Sequence, residues 1–270
     1  MDSTAPAPSF GPLLRGWRRR RSLSQLALAA EAEVSQRHLS FIESGRSSPS
    51  REVILRLAER LALPLRERNQ LLVAAGYAPV FQARPADDPA MAAAHRAVAL
   101  ILERHEPFPA LAVDRHWTLV HANAAVGRLL AGVAPALLAP PVNVLRLSLH
   151  PDGLAGRIVN FREWRDHVLS RLGEQVSLTA DPALTALLEE LRAYPVPPGA
   201  APHSRPATNP LAGVAVPFRL RLEAGVLSFL STTTVFGTAL DITLSELAIE
   251  AFFPADDETA TVLLDGRRKG

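Results

Sequence analysis

The fold of the N-terminal part is decided by residues 23–45, which read LSQLALAAEAEVSQRHLSFIESG. Small and apolar residues recur on both sides of a short break at helical spacing, which predicts two helices packed face to face. Ser35 is expected to cap the start of the second of these helices, and Gly45 is expected to end it. The positions that form the predicted contact are Leu28, Ala29, Ala32, Val34, Leu39 and Ile42.

The flanking sequence extends this pair into a compact all-α unit over about residues 10–76. A first helix is predicted to end near Arg21, and a fourth carries apolar residues at core spacing and stops before Pro64. A fifth runs from about Leu65 to Ala75 and is followed by Gly76. We therefore expect five helices joined by short turns.

The outer face of the predicted third helix carries side chains suited to reading DNA. With Leu39 and Ile42 buried, the opposite face presents Gln36, Arg37, Ser40 and Phe41, free to enter a major groove. Glutamine pairs bidentately with adenine and arginine with guanine, and an aromatic ring contacts the thymine methyl group. The alternative is a helical domain whose charges are only solvated.

This set of residues resembles the helix-turn-helix family of the phage lambda and 434 repressors, often called the Xre family. The resemblance implies that Gln25 contacts a DNA phosphate and that Gln36 and Arg37 reach base edges. Glu33 occupies the turn position that the family usually gives to glycine, so we expect a left-handed residue there, at a cost of about 1 kcal/mol, with its carboxylate turned away from DNA. The residues placed for phosphate contacts are Ser35, Arg46 and Arg51.

The distribution of charged residues along the chain also supports DNA binding by the N-terminal part. Residues 1–85 hold thirteen arginines and seven acidic residues, whereas the remainder holds 16 basic and 20 acidic residues. A basic N-terminal module followed by an acidic one suggests that the first meets a polyanion. A solvated basic surface would give the same balance.

Several classes of protein are disfavoured by the sequence. The chain has no cysteine, which excludes disulfides and thiolate metal sites. There is no signal-like start and no apolar run of about 18 residues. The eight histidines lack metal-ligand spacing, and no phosphate loop or catalytic triad is evident. We therefore expect a cytoplasmic protein with no catalytic residues, metal, cofactor or membrane contact.

The sequence changes character after residues 78–90, which contain three prolines and fit a linker. Beyond an alanine-rich helix from about Met91, residues 110–113 and 118–121 are predicted as strands, and residues 122–131, 161–172 and 182–193 as helices. Alternation over residues 214–223 predicts an edge strand that pairs with a strand over residues 226–236. Residues 195–210 are expected to form a proline-rich loop. Thr243 and Glu246 form a capping-box pattern that predicts a final helix, and residues 256–258 an acidic tail.

Three segments of this second part stand out: FPALAVDRHWTLVHANAA at 108–125, PVNVLR at 141–146 and NFREW at 160–164. They are similar to segments of MmyB-like regulators, whose second half has a PAS-like fold. The resemblance implies an α+β PAS-like domain with an antiparallel sheet that binds a small, largely apolar, fatty-acid-like effector. We thus expect an all-α five-helix helix-turn-helix domain over 1–85, a linker and bridging helix over 86–106, and the PAS-like domain over 107–270.

A PAS-like sheet leaves a pocket beneath its helices, and large apolar side chains are available to line it. For each of them, packing in the core is the alternative. Arg165 is a candidate for meeting a ligand carboxylate, with a surface role as the alternative. The candidate ligand residues are Trp117, Phe161, Trp164, Arg165 and Phe229.

Together these patterns predict a transcription regulator that binds an inverted-repeat operator in double-stranded DNA as a homodimer. The alternative is a DNA-binding scaffold or antitoxin-like protein whose second domain binds protein partners. An exposed apolar face on the hairpin at 214–236, without a closed cavity, would favour that alternative. An enzyme joined to a DNA-binding domain would need a buried cluster of titratable groups, and the sequence contains none.

Overall fold

A computed structural model describes residues 9–85, 88–203, 215–236 and 241–268, and the chain divides into two compact units. The first unit contains five helices, as predicted, because apolar residues at helical spacing alternate with serine and glycine signals at the turns. They are α1 (Phe10–Arg20), α2 (Gln25–Glu31), α3 (Gln36–Glu43), α4 (Arg51–Arg60) and α5 (Leu65–Ala74).

Serine caps set the start of three of these helices. The side chains of Ser24, Ser35 and Ser50 each accept a hydrogen bond from the backbone N–H three residues further on. Each bond satisfies a donor that a helix start would otherwise leave unpaired. The apolar faces then meet in one core, formed mainly by Leu14, Trp17, Leu28, Leu39, Ile42, Ile54, Leu57, Leu61, Leu71 and Leu72.

Gly11 is required where α1 crosses the end of α3. A Cβ atom at this position would lie 2.6 Å from the carbonyl oxygen of Glu43 and 2.8 Å from that of Ile42. Both oxygens belong to the backbone, so neither moves without shifting α3. Gly16 lies on the same helix, and a Cβ atom there would have no heavy atom within 4 Å outside its own stretch of helix.

We expect Gly11→Ala to lower the free energy of unfolding of the first unit by about 1–3 kcal/mol, since the added methyl group overpacks a backbone contact. Gly16→Ala is the matched control, and it should raise stability by up to about 1 kcal/mol because alanine favours helix. Urea denaturation of the full chain, followed by circular dichroism, measures both. Equal effects of the two substitutions would contradict the close approach of α1 and α3.

The second unit is built on a five-stranded sheet with the order β2-β1-β5-β4-β3. Every neighbouring pair is antiparallel, and β3 is an edge strand, as predicted. This arrangement confirms the expected PAS-like α+β fold with an antiparallel sheet. The strands are β1 (Ala110–Val113), β2 (Leu119–Ala122), β3 (Phe218–Leu222), β4 (Gly225–Val235) and β5 (Ala248–Pro254).

Helices cover this sheet and complete its core. Val98 and Leu102 of α6 pack with Ala110, Ala112 and Ile249 of the sheet. The larger cluster lies between the sheet and the helices that follow β2, with Phe161 and Phe229 fully buried in it. The helices are α6 (Ala92–Arg104), α7 (Ala124–Leu129), α8 (Pro135–Leu138), α9 (Val144–Leu149), α10 (Phe161–Thr179), α11 (Pro182–Ala193), α12 (Ile242–Ser245) and α13 (Asp257–Arg268).

Two predictions near the C-terminus are wrong. The helix expected from Thr243 ends at Ser245, and the following residues form β5, which pairs with both β1 and β4. The predicted acidic tail is the start of α13, where the Asp256 carboxylate accepts a hydrogen bond from the backbone N–H of Thr259 at 2.8 Å. Carboxylates at a helix start are stabilised by the helix dipole, which explains the acidic run.

Other boundaries shift without changing the fold. The helix predicted over residues 122–131 covers Ala124–Leu129 only, and the one predicted over residues 161–172 continues to Thr179. The short helices α8 and α9 were not predicted. Residues 204–214, which hold the end of the predicted proline-rich loop and the first residue of the predicted edge strand, lie outside the described residues.

Candidate functional site

The candidate DNA-reading surface is the outer face of α3. Leu39 and Ile42 are 0% and 1% exposed and fix the inner face of the helix in the core. Gln36 and Arg37 are exposed, and Ser40 and Phe41 are half-buried. The structure therefore places the four residues of the predicted groove-facing surface together on the side of α3 that faces away from the core.

Two cationic groups lie close to the Phe41 ring on this surface. The guanidinium carbon of Arg37 is 5.3 Å from the centre of the Phe41 ring, and that of Arg46 is 5.9 Å from it. Gly45, with φ of 76°, turns the chain so that the Arg46 backbone N–H donates to the Phe41 carbonyl at 2.8 Å. Both arginines are thus held beside the same ring by cation–π contact.

The predicted phosphate-contacting residues surround this cluster. Ser35 uses its oxygen to cap α3, since it accepts from the His38 backbone N–H at 3.1 Å, and the O–H of a hydroxyl remains a donor. Arg46 and Arg51 are exposed. Within the part of the chain that the structure describes, neither of these two arginines, nor Arg37, forms an ion pair.

Gln25 is held by an acidic residue of α3. Its side-chain amide donates to the Glu43 carboxylate at 2.8 Å. A primary amide carries two N–H donors, so this contact leaves one donor for a phosphate. The position of Gln25 is therefore set from within the unit.

Glu43 is the centre of a buried charge cluster, and its role was not predicted from the sequence. Its side chain is fully buried, and Arg18 donates to its two oxygens at 2.6 and 2.9 Å. Burial raises the pKa of Glu43, but the hydrogen bonds from Arg18 and Gln25 and the charges of Arg18 and Arg15 outweigh it and lower this pKa below its ordinary value. Glu43 is consequently an anion that ties α1 and α2 to the end of α3.

The turn before α3 has the conformation expected for it. Glu33 has φ of 55°, in the left-handed region that favours glycine. Its carboxylate is exposed and lies 3.6 Å from the Arg56 guanidinium of α4. This ion pair is exposed, so it contributes little to stability.

The second unit contains a cavity between the sheet and helices α7, α9 and α10. It holds about 100 Å³ of free space. Most of its wall is apolar. The polar groups among the lining side chains belong to Ser148, Arg171 and Glu250 and to the indole N–H groups of Trp117 and Trp164. The lining residues are Leu111, Trp117, Leu119, Val126, Leu129, Leu130, Val144, Leu145, Leu147, Ser148, Leu154, Trp164, Val168, Arg171, Phe218, Glu250 and Phe252.

Two of the five candidate ligand residues line this cavity, namely Trp117 and Trp164. Phe161 and Phe229 are instead fully buried in the core and are not among the lining residues. Arg165 also lies outside the lining, and its guanidinium donates to the Arg192 carbonyl at 2.7 Å. Sequence reasoning missed the polar lining residues, because helices and strands distant in the chain bring them together.

Trp117 occupies the turn between β1 and β2 in a strained conformation. Its φ is 65°, which is rare for a bulky residue. The turn is held by the Asp114 carboxylate, which accepts from the backbone N–H groups of His116 and Thr118, both at 2.8 Å. The indole N–H donates to Gln175 at 2.7 Å. Hydrogen bonds therefore fix both the turn that carries Trp117 and its indole ring at the cavity wall.

Two further findings concern the described residues as a whole. No group of three or more His, Asp or Glu side chains in the described ranges is arranged to hold a metal ion. None of the described helices combines the length and the apolar composition that crossing a bilayer requires.

A helix-turn-helix unit followed by a PAS-like unit with an apolar cavity defines a DNA-binding transcription regulator with a ligand-binding domain. The chain belongs to the family described as the MmyB-like transcription regulator ligand binding domain, whose model matches residues 94–264. A helix-turn-helix family matches residues 14–68.

A solved structure is among the proteins to which this chain is similar. The crystal structure of the clp gene regulator ClgR from Corynebacterium glutamicum is 26% identical over 38% of this chain and 99% of that chain, with a TM-score of 0.23. No curated protein matches the sequence.

Proposed function

We propose that this regulator binds a specific double-stranded DNA operator through α3 and that a small apolar effector in the cavity of the second unit changes its affinity for DNA. The observation that carries the DNA-reading part is the outward face of α3, where Gln36, Arg37 and Phe41 lie together. The cavity, with Trp117 and Trp164 in its wall, supports the effector part.

Each side chain on this face has a defined role in the proposal. Gln36 reads adenine, Arg37 reads guanine O6 and N7, and Phe41 contacts a thymine methyl group. Ser40 lies on the same face and completes the contact surface. The phosphate contacts, which set register rather than sequence, come from Gln25, Ser35, Arg46 and Arg51.

The operator is an inverted repeat bound by a homodimer. A helix of eight residues such as α3 is about 12 Å long and reaches only a few base pairs. Two copies held about 34 Å apart, one helical turn of DNA, read twice that information. We place the protein in the cytoplasm, because in bacteria the genomic DNA it would read lies there.

The effector is small and largely apolar, with a fatty-acid-like chain. A cavity of about 150 Å³ accepts benzene, so the free space of about 100 Å³ here accommodates a short alkyl segment, and a longer chain requires movement of the wall. Such a ligand changes DNA affinity only if it binds two conformations of the protein unequally.

The alternative of a scaffold or antitoxin-like protein has less support. It would be favoured by an exposed apolar face on the β3–β4 hairpin. On this hairpin Phe218, Leu220, Leu227 and Phe229 are buried within the second unit, whereas Val235 at the end of β4 is exposed.

Selection of binding sites from random double-stranded DNA, followed by gel shifts across a salt series, tests the proposal. We expect an inverted-repeat consensus and weaker binding as salt rises. Gln36→Ala should reduce discrimination at one position of each half-site by about 1–3 kcal/mol. Gln70→Ala removes an exposed glutamine of α5 and should have no effect. Equal binding to all sequences would contradict an operator.

A further inference from the structure

An ion pair forms part of the wall of the otherwise apolar cavity. Arg171 of α10 donates to the two carboxylate oxygens of Glu250 on β5, at 2.9 and 3.3 Å. The Glu250 side chain is only 6% exposed, and that of Arg171 is 31% exposed. Thr233 of β4 joins the pair, since its hydroxyl donates to Glu250 and accepts from Arg171, both at 2.8 Å.

This arrangement fixes both charges in place. The guanidinium carbon of Arg171 also lies 5.1 Å from the centre of the Trp117 ring, so the arginine is held by a carboxylate, a hydroxyl and an aromatic face. The charged side chains among the residues that line the cavity are Arg171 and Glu250. Since they pair with each other, the charges of the lining residues sum to zero.

The hydroxyl group of Ser148 is a hydrogen-bond donor in another part of the cavity wall. The buried indole N–H of Trp164 donates to the Ser148 hydroxyl oxygen at 2.8 Å. A hydroxyl has one donor of its own, and in the described part of the chain that hydrogen has no acceptor. Since Ser148 lines the cavity, an acceptor atom of a bound ligand would satisfy this donor.

From these contacts we infer that the effector is an uncharged amphipathic molecule with a carbonyl acceptor, such as an amide or an ester, and not a free carboxylate. The inference rests on the proposed function, because it specifies the polar end of the proposed apolar ligand. A carboxylate entering the cavity would lose its hydration, while Glu250 would cancel the attraction of Arg171. A carbonyl oxygen accepts from Ser148 without either cost.

The test compares hexanamide with hexanoate, which have the same size and shape and differ in charge. Isothermal titration calorimetry on the full chain near neutral pH measures both dissociation constants, and quenching of tryptophan fluorescence reports contact with the cavity wall. We expect hexanamide to bind the wild-type protein at least tenfold more tightly than hexanoate.

Glu250→Gln should reverse this preference, because it leaves the positive charge of Arg171 uncompensated while keeping the size of the side chain. Glu189→Gln makes the same change at an exposed position of α11 and should leave the preference of the wild type unchanged. If Glu250→Gln does not fold, as judged by circular dichroism, the wild-type comparison alone decides the matter.

The outcomes separate the two proposals. Hexanoate binding as tightly as hexanamide, or more tightly, to the wild type would overturn the uncharged-ligand inference and leave an apolar effector in place. Absence of binding by both compounds would overturn the effector cavity and this inference together.

Discussion

Replacing Glu43 by glutamine is expected to lower the free energy of unfolding of the first unit by about 3–5 kcal/mol, since removing one partner of a buried ion pair leaves the other charge uncompensated. Arg18, whose two bonds to Glu43 are 2.6 and 2.9 Å long, would remain buried without a carboxylate. Denaturation of the full chain by urea, followed by circular dichroism, measures the loss as an earlier transition of this unit.

The same residue gives the unit an acid sensitivity with a defined sign. The pKa of Glu43 is lower in the folded unit than its ordinary value, which is about 4.3 in an unfolded chain. The stabilising contribution is therefore fully present above that ordinary value, and it is lost as the pH falls towards the folded pKa. Glu43→Gln should remove this part of the pH dependence.

Glu59→Gln is the matched control, because Glu59 lies on α4 and is exposed. This substitution should change stability by no more than about 0.5 kcal/mol. Equal destabilisation by the two substitutions, or an unchanged acid transition in Glu43→Gln, would show that the buried cluster does not stabilise the unit.

The helices of the first unit can be predicted from the sequence because their signals are local. Ser35 and Gly45 mark boundaries within a few residues of the apolar positions that they serve, and the structure uses both of them in that role. The Glu43 cluster could not be derived in the same way. Its partners Arg18 and Arg15 are 25 and 28 residues distant, and no local pattern pairs a glutamate with one arginine among several.

The second unit shows where local patterns fail. Apolar residues at 244, 247, 248 and 251 have helical spacing, yet Ala248–Pro254 forms β5 between β1 and β4. Pairing with β1 and β4 on both edges outweighs the local helical preference, because tertiary context routinely overrides intrinsic propensity. The lining of the cavity could also be predicted only in part. Trp117 and Trp164 can be proposed as lining residues from their size, whereas Arg171 and Glu250 meet only after α10 packs on the sheet.

Arg37→Ala is expected to weaken operator binding by about 1–3 kcal/mol for each half-site, which is roughly five- to 150-fold. The substitution removes the bidentate donor pair for guanine and also releases Phe41 from the contact with Arg37 at 5.3 Å. Fluorescence anisotropy with a labelled operator measures this loss. Arg37→Lys should recover only part of it, because an ammonium group keeps the charge but not the fork of donors.

Losing a base contact and losing a phosphate contact change DNA affinity differently across salt concentrations and DNA sequences. The proposed roles of Arg37 and Arg46 can therefore be distinguished by experiment. Arg46→Ala should weaken binding to operator and random DNA alike and reduce the salt slope by about 1. Arg37→Ala should instead relax the preference for one base. Arg60→Ala removes the same charge at the opposite end of α4 from Arg51 and should affect neither property. If all three variants weakened binding equally on every sequence, the face of α3 would act by charge alone and would not read the operator.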